Sequence, residues 1–153
     1  MSDLQAGQEK DITSLLPALA GSNLIYGAGM LDSGNSFSSP QLVLDNEIIR
    51  MIRRSLQGIN VDDVNLAVDL IDEIGPGGHF LAEQHTVDNM HQEQVHPELF
   101  DRQGRQGWQD AGGKNAFQRG KTRAKEILNE HQVEPLSAEV QDQLQKIVAS
   151  AES

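Results

Sequence analysis

The 153-residue sequence contains no cysteine, which excludes disulfides, zinc–thiolate sites and thiol nucleophiles. Aromatic residues make up only 4% of the chain, so any core must be mainly aliphatic. No apolar run approaches the length of about 18 residues that a membrane-spanning helix requires. The first residues also lack the basic segment and apolar run of a signal peptide. We therefore expect a soluble cytoplasmic protein.

Basic residues are scarce as well, since 12 Lys and Arg stand against 23 Asp and Glu and leave a formal net charge of −11. Such a surface repels phosphate backbones and anionic lipid headgroups, so neither nucleic acid nor a membrane is an expected partner. A large net charge keeps a protein soluble, and this role is sufficient to explain the excess of acidic residues. A functional alternative is the attraction of cationic partners or substrates.

Two helices and a strand are predicted in the first third of the chain. Apolar residues spaced at i, i+3, i+4 and i+7 indicate a helix over residues 3–20, with Asp3 as its N-cap. Residues 24–30 are short, apolar and bounded by turn-forming residues, as in a buried parallel strand. Ser39, as an N-cap before Pro40, indicates a helix over residues 40–57.

The remainder of the sequence favours helices. We expect one helix over residues 62–74, a broken helix over 79–94 whose second part is capped by Thr86, a helical turn near Trp108, a helix over 114–131 and a final helix capped by Ser137. The predicted fold class is therefore mainly α with one short strand. One strand cannot form a sheet alone, so its neighbours come from absent sequence or the segment is held irregularly.

Candidate binding residues cluster around the predicted strand. In a βα barrel, active-site residues lie at the C-terminal ends of the strands. If the predicted strand belongs to such a barrel, the candidates are Tyr26, Gly29, Met30 and Asp32. A plain packing role is an equally good interpretation of most of them. The glycines here do not form a dinucleotide-binding loop, because the third glycine of that fingerprint is absent.

His79 follows the most distinctive loop in the chain, residues 75–78, which consists of three glycines and one proline. This loop is either a helix C-cap with a sharp turn or a rigid segment that places His79 at a pocket or interface. No metal is expected, because the spacing of the histidines does not match helical zinc sites. The five are His79, His85, His91, His96 and His131.

An ordered series of segments resembles the C-terminal end of the trimethylamine methyltransferase family. The resemblance covers most of the chain and weakens after about residue 95. The segments that carry it are residues 5–10, 23–34, 41–48 with 50–52, 58–63 and 73–81 with 85–86.

This resemblance implies that the chain is the C-terminal fragment of a (β/α)8 TIM barrel with a helical extension. Residues 1–58 would be the last part of the barrel and residues 59–153 the extension. The family transfers a methyl group from trimethylamine, glycine betaine or a similar amine to the cobalt of a corrinoid (cobalamin) protein, a reaction of methanogenesis. The corrinoid would be supplied by the cognate partner protein.

The short length bears on that implied function, because a complete barrel needs about 250 residues. We expect the missing N-terminal half of the barrel, or a second copy of the chain, as a partner. An amine cation would be held by aromatic faces or carboxylates, for which Tyr26 and Asp32 are candidates. No catalytic residue can be assigned from the sequence. The alternative function is a non-catalytic helical module that mediates oligomerisation or corrinoid-protein docking.

Overall fold

The computed structural model describes residues 3–151, and it is mainly helical. Eight α-helices, one two-stranded sheet and a short 3-10 helix between its strands (Asp32–Gly34) form this part of the chain. In order they are α1 (Leu4–Leu19), β1 (Met30–Leu31), β2 (Ser36–Phe37), α2 (Ser39–Leu56), α3 (Asp63–Leu66), α4 (Val68–Ile74), α5 (Gln84–Met90), α6 (Arg105–Asp110), α7 (Ala116–Glu130) and α8 (Ala138–Ala151).

Helix α1 begins and ends as its sequence predicts. The Asp3 side chain accepts the Ala6 N–H at 3.0 Å and caps the N-terminus. Pro17 lies in the last turn, where its missing N–H removes one hydrogen bond of the helix shortly before the helix ends. Gly21 follows with a φ of +86°. The Ser22 N–H donates to the Pro17 carbonyl at 3.0 Å, and this hydrogen bond caps the C-terminus of the helix.

The predicted strand over residues 24–30 is not observed. Residues 24–27 belong to no helix or strand, and their Leu24 and Tyr26 side chains are exposed. The two strands of the described sheet lie just beyond, where Met30 pairs with Phe37 and Leu31 with Ser36 in antiparallel register. A barrel strand requires parallel neighbours, and the described residues offer none to this segment.

Helix α2 is the centre of the packing. Its N-cap is Ser38 and not Ser39, since the Ser38 hydroxyl accepts the Gln41 N–H at 3.3 Å and places Pro40 inside the first turn. Its apolar face contacts α1, where Ile48 and Ile52 form a core with Ala18. Three partly buried side chains complete this core: Leu15, Ile25 and Phe100.

Helix α7, from the segment assigned to the extension, packs closely on the other side of α2. An added Cβ on Gly120 would lie 3.1 Å from the Leu44 side chain and 3.2 Å from the Pro40 carbonyl. Ala124, one turn later, is 3% exposed. Small residues at these two positions allow the helices to approach. A capping box between Asn115 and Gln118 fixes the start of α7.

Two predictions for the middle of the chain are wrong. The helix expected over residues 62–74 is interrupted at Ala67, which has a φ of +47° and separates α3 from α4. In the broken helix expected over residues 79–94, Thr86 is not the N-cap of the second part, since α5 begins at Gln84 after an extended Glu83 and Thr86 lies inside it. Both positions are exposed or half-buried, where weak packing leaves local turn preferences to decide the backbone.

The start of α3 predicts an acid-sensitive cap. Hydrogen bonds from the Asn65 backbone N–H at 2.8 Å, and then from its side-chain amide at 2.6 Å, lower the pKa of Asp62 below its ordinary value of 3.8. A lowered pKa in the folded state means that the cap's stabilisation is complete above pH 3.8 and is lost as the pH falls through the folded pKa.

In an NMR acid titration we expect the Asn65 amide signal to move with a midpoint below 3.8. Asp62→Asn retains a capping oxygen without the charge, so this acid transition should vanish in that variant. A midpoint at or above 3.8 in the original chain would contradict the cap.

Helix α8 forms as predicted, and the Ser137 hydroxyl accepts the Val140 N–H at 3.4 Å. Its apolar stripe is not buried, since Val140, Leu144, Ile147 and Val148 are all exposed. None of the helices within residues 3–151 has the length and apolar character needed to cross a lipid bilayer.

The chain as a whole exposes 12071 Å² of surface. A globular protein of its mass, 16.8 kDa, would expose about 7,600 Å². Large apolar side chains such as Leu4, Leu24 and Tyr26 are among the exposed residues. Surfaces of this kind are normally covered by other protein.

Candidate functional site

A groove of about 460 Å³ lies between α1 and the segment that leads into the sheet. One wall consists of α1 residues and the other of residues 26–34. The lining residues are Ala6, Glu9, Lys10, Thr13, Ser14, Tyr26, Gly27, Met30, Leu31, Asp32, Ser33 and Gly34.

Three of the residues predicted from the sequence meet in this groove: Tyr26, Met30 and Asp32. Asp32 and the following Ser33 both have a φ of +52°, a left-handed conformation that non-glycine residues rarely adopt. Such strain persists only where the surrounding structure enforces it, and it is concentrated at functional sites. The groove is therefore the best candidate site among the described residues.

Gly29 lies behind the groove wall and does not line it. It is buried, it has a φ of +77°, and its N–H donates to the Asp45 carboxylate at 2.8 Å. An added Cβ would lie 2.7 Å from the Phe37 ring and 3.0 Å from the Leu42 Cβ. Gly29 therefore shapes the backbone of the groove wall, and it does not contact the space inside the groove.

His79 lies apart from the other candidates. It is an exposed residue in the loop after α4 and does not line the groove. Within residues 3–151, no group of three or more His, Cys, Asp or Glu side chains is arranged to hold a metal ion. His85 instead meets the Val64 carbonyl at 2.9 Å, and the rings of His91 and His96 contact each other.

The sequence reasoning missed the polar residues that support the groove. Lys10, on α1, lies 3.1 Å from Asp45 on α2 and donates to the Gly27 carbonyl at 2.5 Å. The Asp45 carboxylate also accepts from the Gln41 amide at 2.6 Å. A signal was present, because Gln41 and Asp45 share the face of α2 that carries Leu44 and Ile48, where polar residues are unusual.

The charge of the groove favours a small cation. Lys10 is the basic residue in its lining, and Asp45 compensates that charge from below. Glu9 and Asp32 add two carboxylates, and the Asp32 side chain makes no hydrogen bond or ion pair within the described structure. Tyr26 is 80% exposed and offers a ring face beside them. Aromatic faces and carboxylates are the groups that hold organic ammonium ions.

Replacing Gly29 by alanine is expected to destabilise the chain by about 1–3 kcal/mol, because the new methyl group meets Leu42 in a backbone conformation that already strains alanine. Thermal unfolding followed by circular dichroism measures the loss. Gly21→Ala is the matched control, since Gly21 also has a positive φ but has open space around it. Equal losses in the two variants would contradict close packing at Gly29.

The sequence profile of the trimethylamine methyltransferase (MTTB) family matches residues 1–153. The chain belongs to this family. The particular relatives include trimethylamine methyltransferases of Desulfitobacterium hafniense and Methanosarcina barkeri, each 43% identical over 150 residues. A glycine betaine methyltransferase of D. hafniense is 32% identical over 148 residues.

The matches cover nearly all of this chain but a minor part of each relative. The two trimethylamine methyltransferases align with 98% of this chain and with 30% of their own length. The glycine betaine methyltransferase aligns with 96% of this chain and with 31% of its own length. The chain therefore spans about 30% of the length of the curated relatives it matches.

Proposed function

We propose that the chain is the C-terminal portion of a methyltransferase that removes a methyl group from a methylated or quaternary amine such as trimethylamine or glycine betaine. The observation that carries this proposal is the family match over residues 1–153, with relatives named for both of these substrates. These substrates are named for the relatives. In this chain, the groove is the feature that could bind such an amine.

The groove would hold the ammonium end of the substrate. The Tyr26 ring and the Asp32 carboxylate stabilise a positive charge on nitrogen, while Met30 supplies apolar contact for the methyl groups. In the transfer, an incoming nucleophile bonds to the methyl carbon as the C–N bond breaks, and the electron pair of that bond remains on the departing amine. Catalysis of such a step consists mainly of positioning the reactants.

The methyl acceptor in this proposal is the cobalt of a corrinoid carried by a separate protein. The residues described here would orient the amine toward that acceptor and exclude water. No residue of the chain is assigned to bind the corrinoid.

The rest of the reaction site would come from other barrel strands, placed beside residues 24–30 as the TIM-barrel interpretation requires. Support comes from the exposed Leu24 and Tyr26 and from the surface of 12071 Å². Phe37, in the second strand of the observed pair (Ser36–Phe37), is also 64% exposed. Covering these side chains would bury apolar surface that is otherwise in contact with water.

The alternative is a non-catalytic helical module for oligomerisation or corrinoid-protein docking. The specific observation that favours it is the exposed apolar stripe of α8. One result separates the alternatives. Transfer of a methyl group from trimethylamine or glycine betaine to free cob(I)alamin by the purified chain would reject the non-catalytic module.

Ligand binding provides the direct test of the groove. Tyr26 is the one tyrosine of the chain, so its ring gives a single resolved set of NMR signals. Titration with glycine betaine should shift these signals, and Asp32→Asn should weaken binding by about tenfold, the equivalent of 1.4 kcal/mol. Asp69→Asn, an exposed acid on α4, is the matched control and should bind normally. Tyr26 signals that remain unchanged at saturating ligand would reject the groove as the amine site.

A further inference from the structure

The Lys10–Asp45 pair connects the groove to the interior, since Lys10 lines the groove and Asp45 lies behind its wall. The Asp45 side chain is 4% exposed and that of Lys10 is 22% exposed. A buried carboxylate is costly unless every oxygen is bonded. Here one oxygen accepts from Gln41 at 2.6 Å, and the other accepts from Gly29 at 2.8 Å and faces Lys10 at 3.1 Å.

The two charges hold both ends of one short turn. Lys10 donates to the Gly27 carbonyl, which also accepts the Met30 N–H at 3.1 Å. Asp45 accepts the Gly29 N–H two residues later. Gly27 and Gly29 have φ values of +91° and +77°, so little in the local sequence fixes the direction of the chain here. The contacts to Lys10 and Asp45 fix it instead.

The groove residues flank this turn directly. Tyr26 precedes Gly27, Met30 follows Gly29, and the strained Asp32 lies two residues further. A shift of the turn would move all three side chains. Stability alone is a poor reason for such a pair, because replacing a buried ion pair by apolar residues of similar size is often neutral or stabilising.

We propose that Lys10 and Asp45 are positioning residues that set the geometry and charge of the amine site, an inference that rests on the proposed function. They fix the backbone from Gly27 to Met30, which orients Tyr26 and Asp32. Asp45 also compensates the Lys10 ammonium, which would otherwise repel a cationic substrate from the same groove. The pair therefore determines both the shape of the site and its preference for a cation.

The test uses the full chain with the double substitution Lys10→Met and Asp45→Leu, which replaces the ion pair by apolar side chains of similar size. We expect a folded chain with a moderately lower melting temperature, because Asp45→Leu leaves the buried Gly29 N–H without this acceptor. Amide hydrogen exchange at Gly29 and Met30 should accelerate at least tenfold, while exchange at Ile52 in α2 stays unchanged. Glycine betaine, read from the Tyr26 ring signals, should bind at least tenfold more weakly.

A pair that merely stabilises the fold would give a double variant with original exchange at Gly29 and original binding, and either result overturns the proposal. If the double variant does not fold, Asp45→Asn provides the same measurements with a smaller change in volume. Absence of glycine betaine binding to the original chain would reject the proposed function. The exchange rates at Gly29 and Met30 would still decide whether the pair positions the turn.

Discussion

Replacing Ile52 by alanine should lower the free energy of unfolding by about 2–5 kcal/mol, the largest effect expected from any single truncation in the core. Ile52 is 3% exposed and packs in the cluster that joins α1 to α2. Within residues 3–151 only six apolar side chains are buried, so Ile52 makes up a large share of the core. Urea denaturation followed by circular dichroism measures the change.

Ile59 offers a matched control for this substitution. It is the same residue type a short distance along the chain, but it is 86% exposed. Ile59→Ala removes the same atoms without opening a cavity and should change the free energy of unfolding by less than about 0.5 kcal/mol. Similar losses at both positions would show that the α1–α2 cluster is not the stabilising core.

The second large effect is expected at Glu47, a buried acid on α2. Its side chain is 4% exposed and accepts the Leu99 N–H at 2.8 Å. On the other side, Arg119 donates to the Leu99 carbonyl at 2.7 Å. Both backbone groups of Leu99 are thus held by charged side chains, which attaches the segment around Phe100 to the core. Glu47→Ala leaves a buried N–H without a partner and should cost about 1–3 kcal/mol.

Two variants separate this hydrogen bond from simple charge pairing. Glu47→Gln retains an oxygen for Leu99 and should recover most of the stability lost in Glu47→Ala. Glu98→Ala removes the other carboxylate beside Arg50, but Glu98 is 68% exposed, so its loss should cost at most about 1 kcal/mol. Urea denaturation compares all three variants. Equal destabilisation by Glu98→Ala and Glu47→Ala would contradict the buried hydrogen bond.

Sequence patterns predicted those elements whose formation depends on local signals. The α1 cap at Asp3, the stop at Gly21 and the α8 cap at Ser137 each rest on residues within one turn of the helix end. The break at Ala67 was not predictable, because alanine is a strong helix former and the residue adopts its left-handed conformation against that preference.

The predicted strand over residues 24–30 failed for a different reason. A strand is defined by hydrogen bonds to its neighbours, and an apolar pattern alone does not supply them. Residues 24–27 form neither a helix nor a sheet in the described structure. The resemblance to a barrel strand therefore remains a prediction that depends on polypeptide beyond these residues.

The candidate site was predictable in part. Tyr26, Met30 and Asp32 are close in sequence, so a single loop brings them to one groove. Gly29 and His79 were predicted with them, but Gly29 faces the interior and His79 lies on another loop. Lys10 and Asp45 come from two helices, and only their packing shows that they meet.

The close contact between α2 and α7 has a consequence for synthesis of the chain. Leu44 and Gly120 are separated by 76 positions (120 − 44), so one flank of α2 stays uncovered until at least these further residues have been synthesised. Contacts between such distant positions slow folding, because a long loop must close before they form. The late partner presents two small buried residues, Gly120 and Ala124, which allows α7 to dock on an α2 that has already formed.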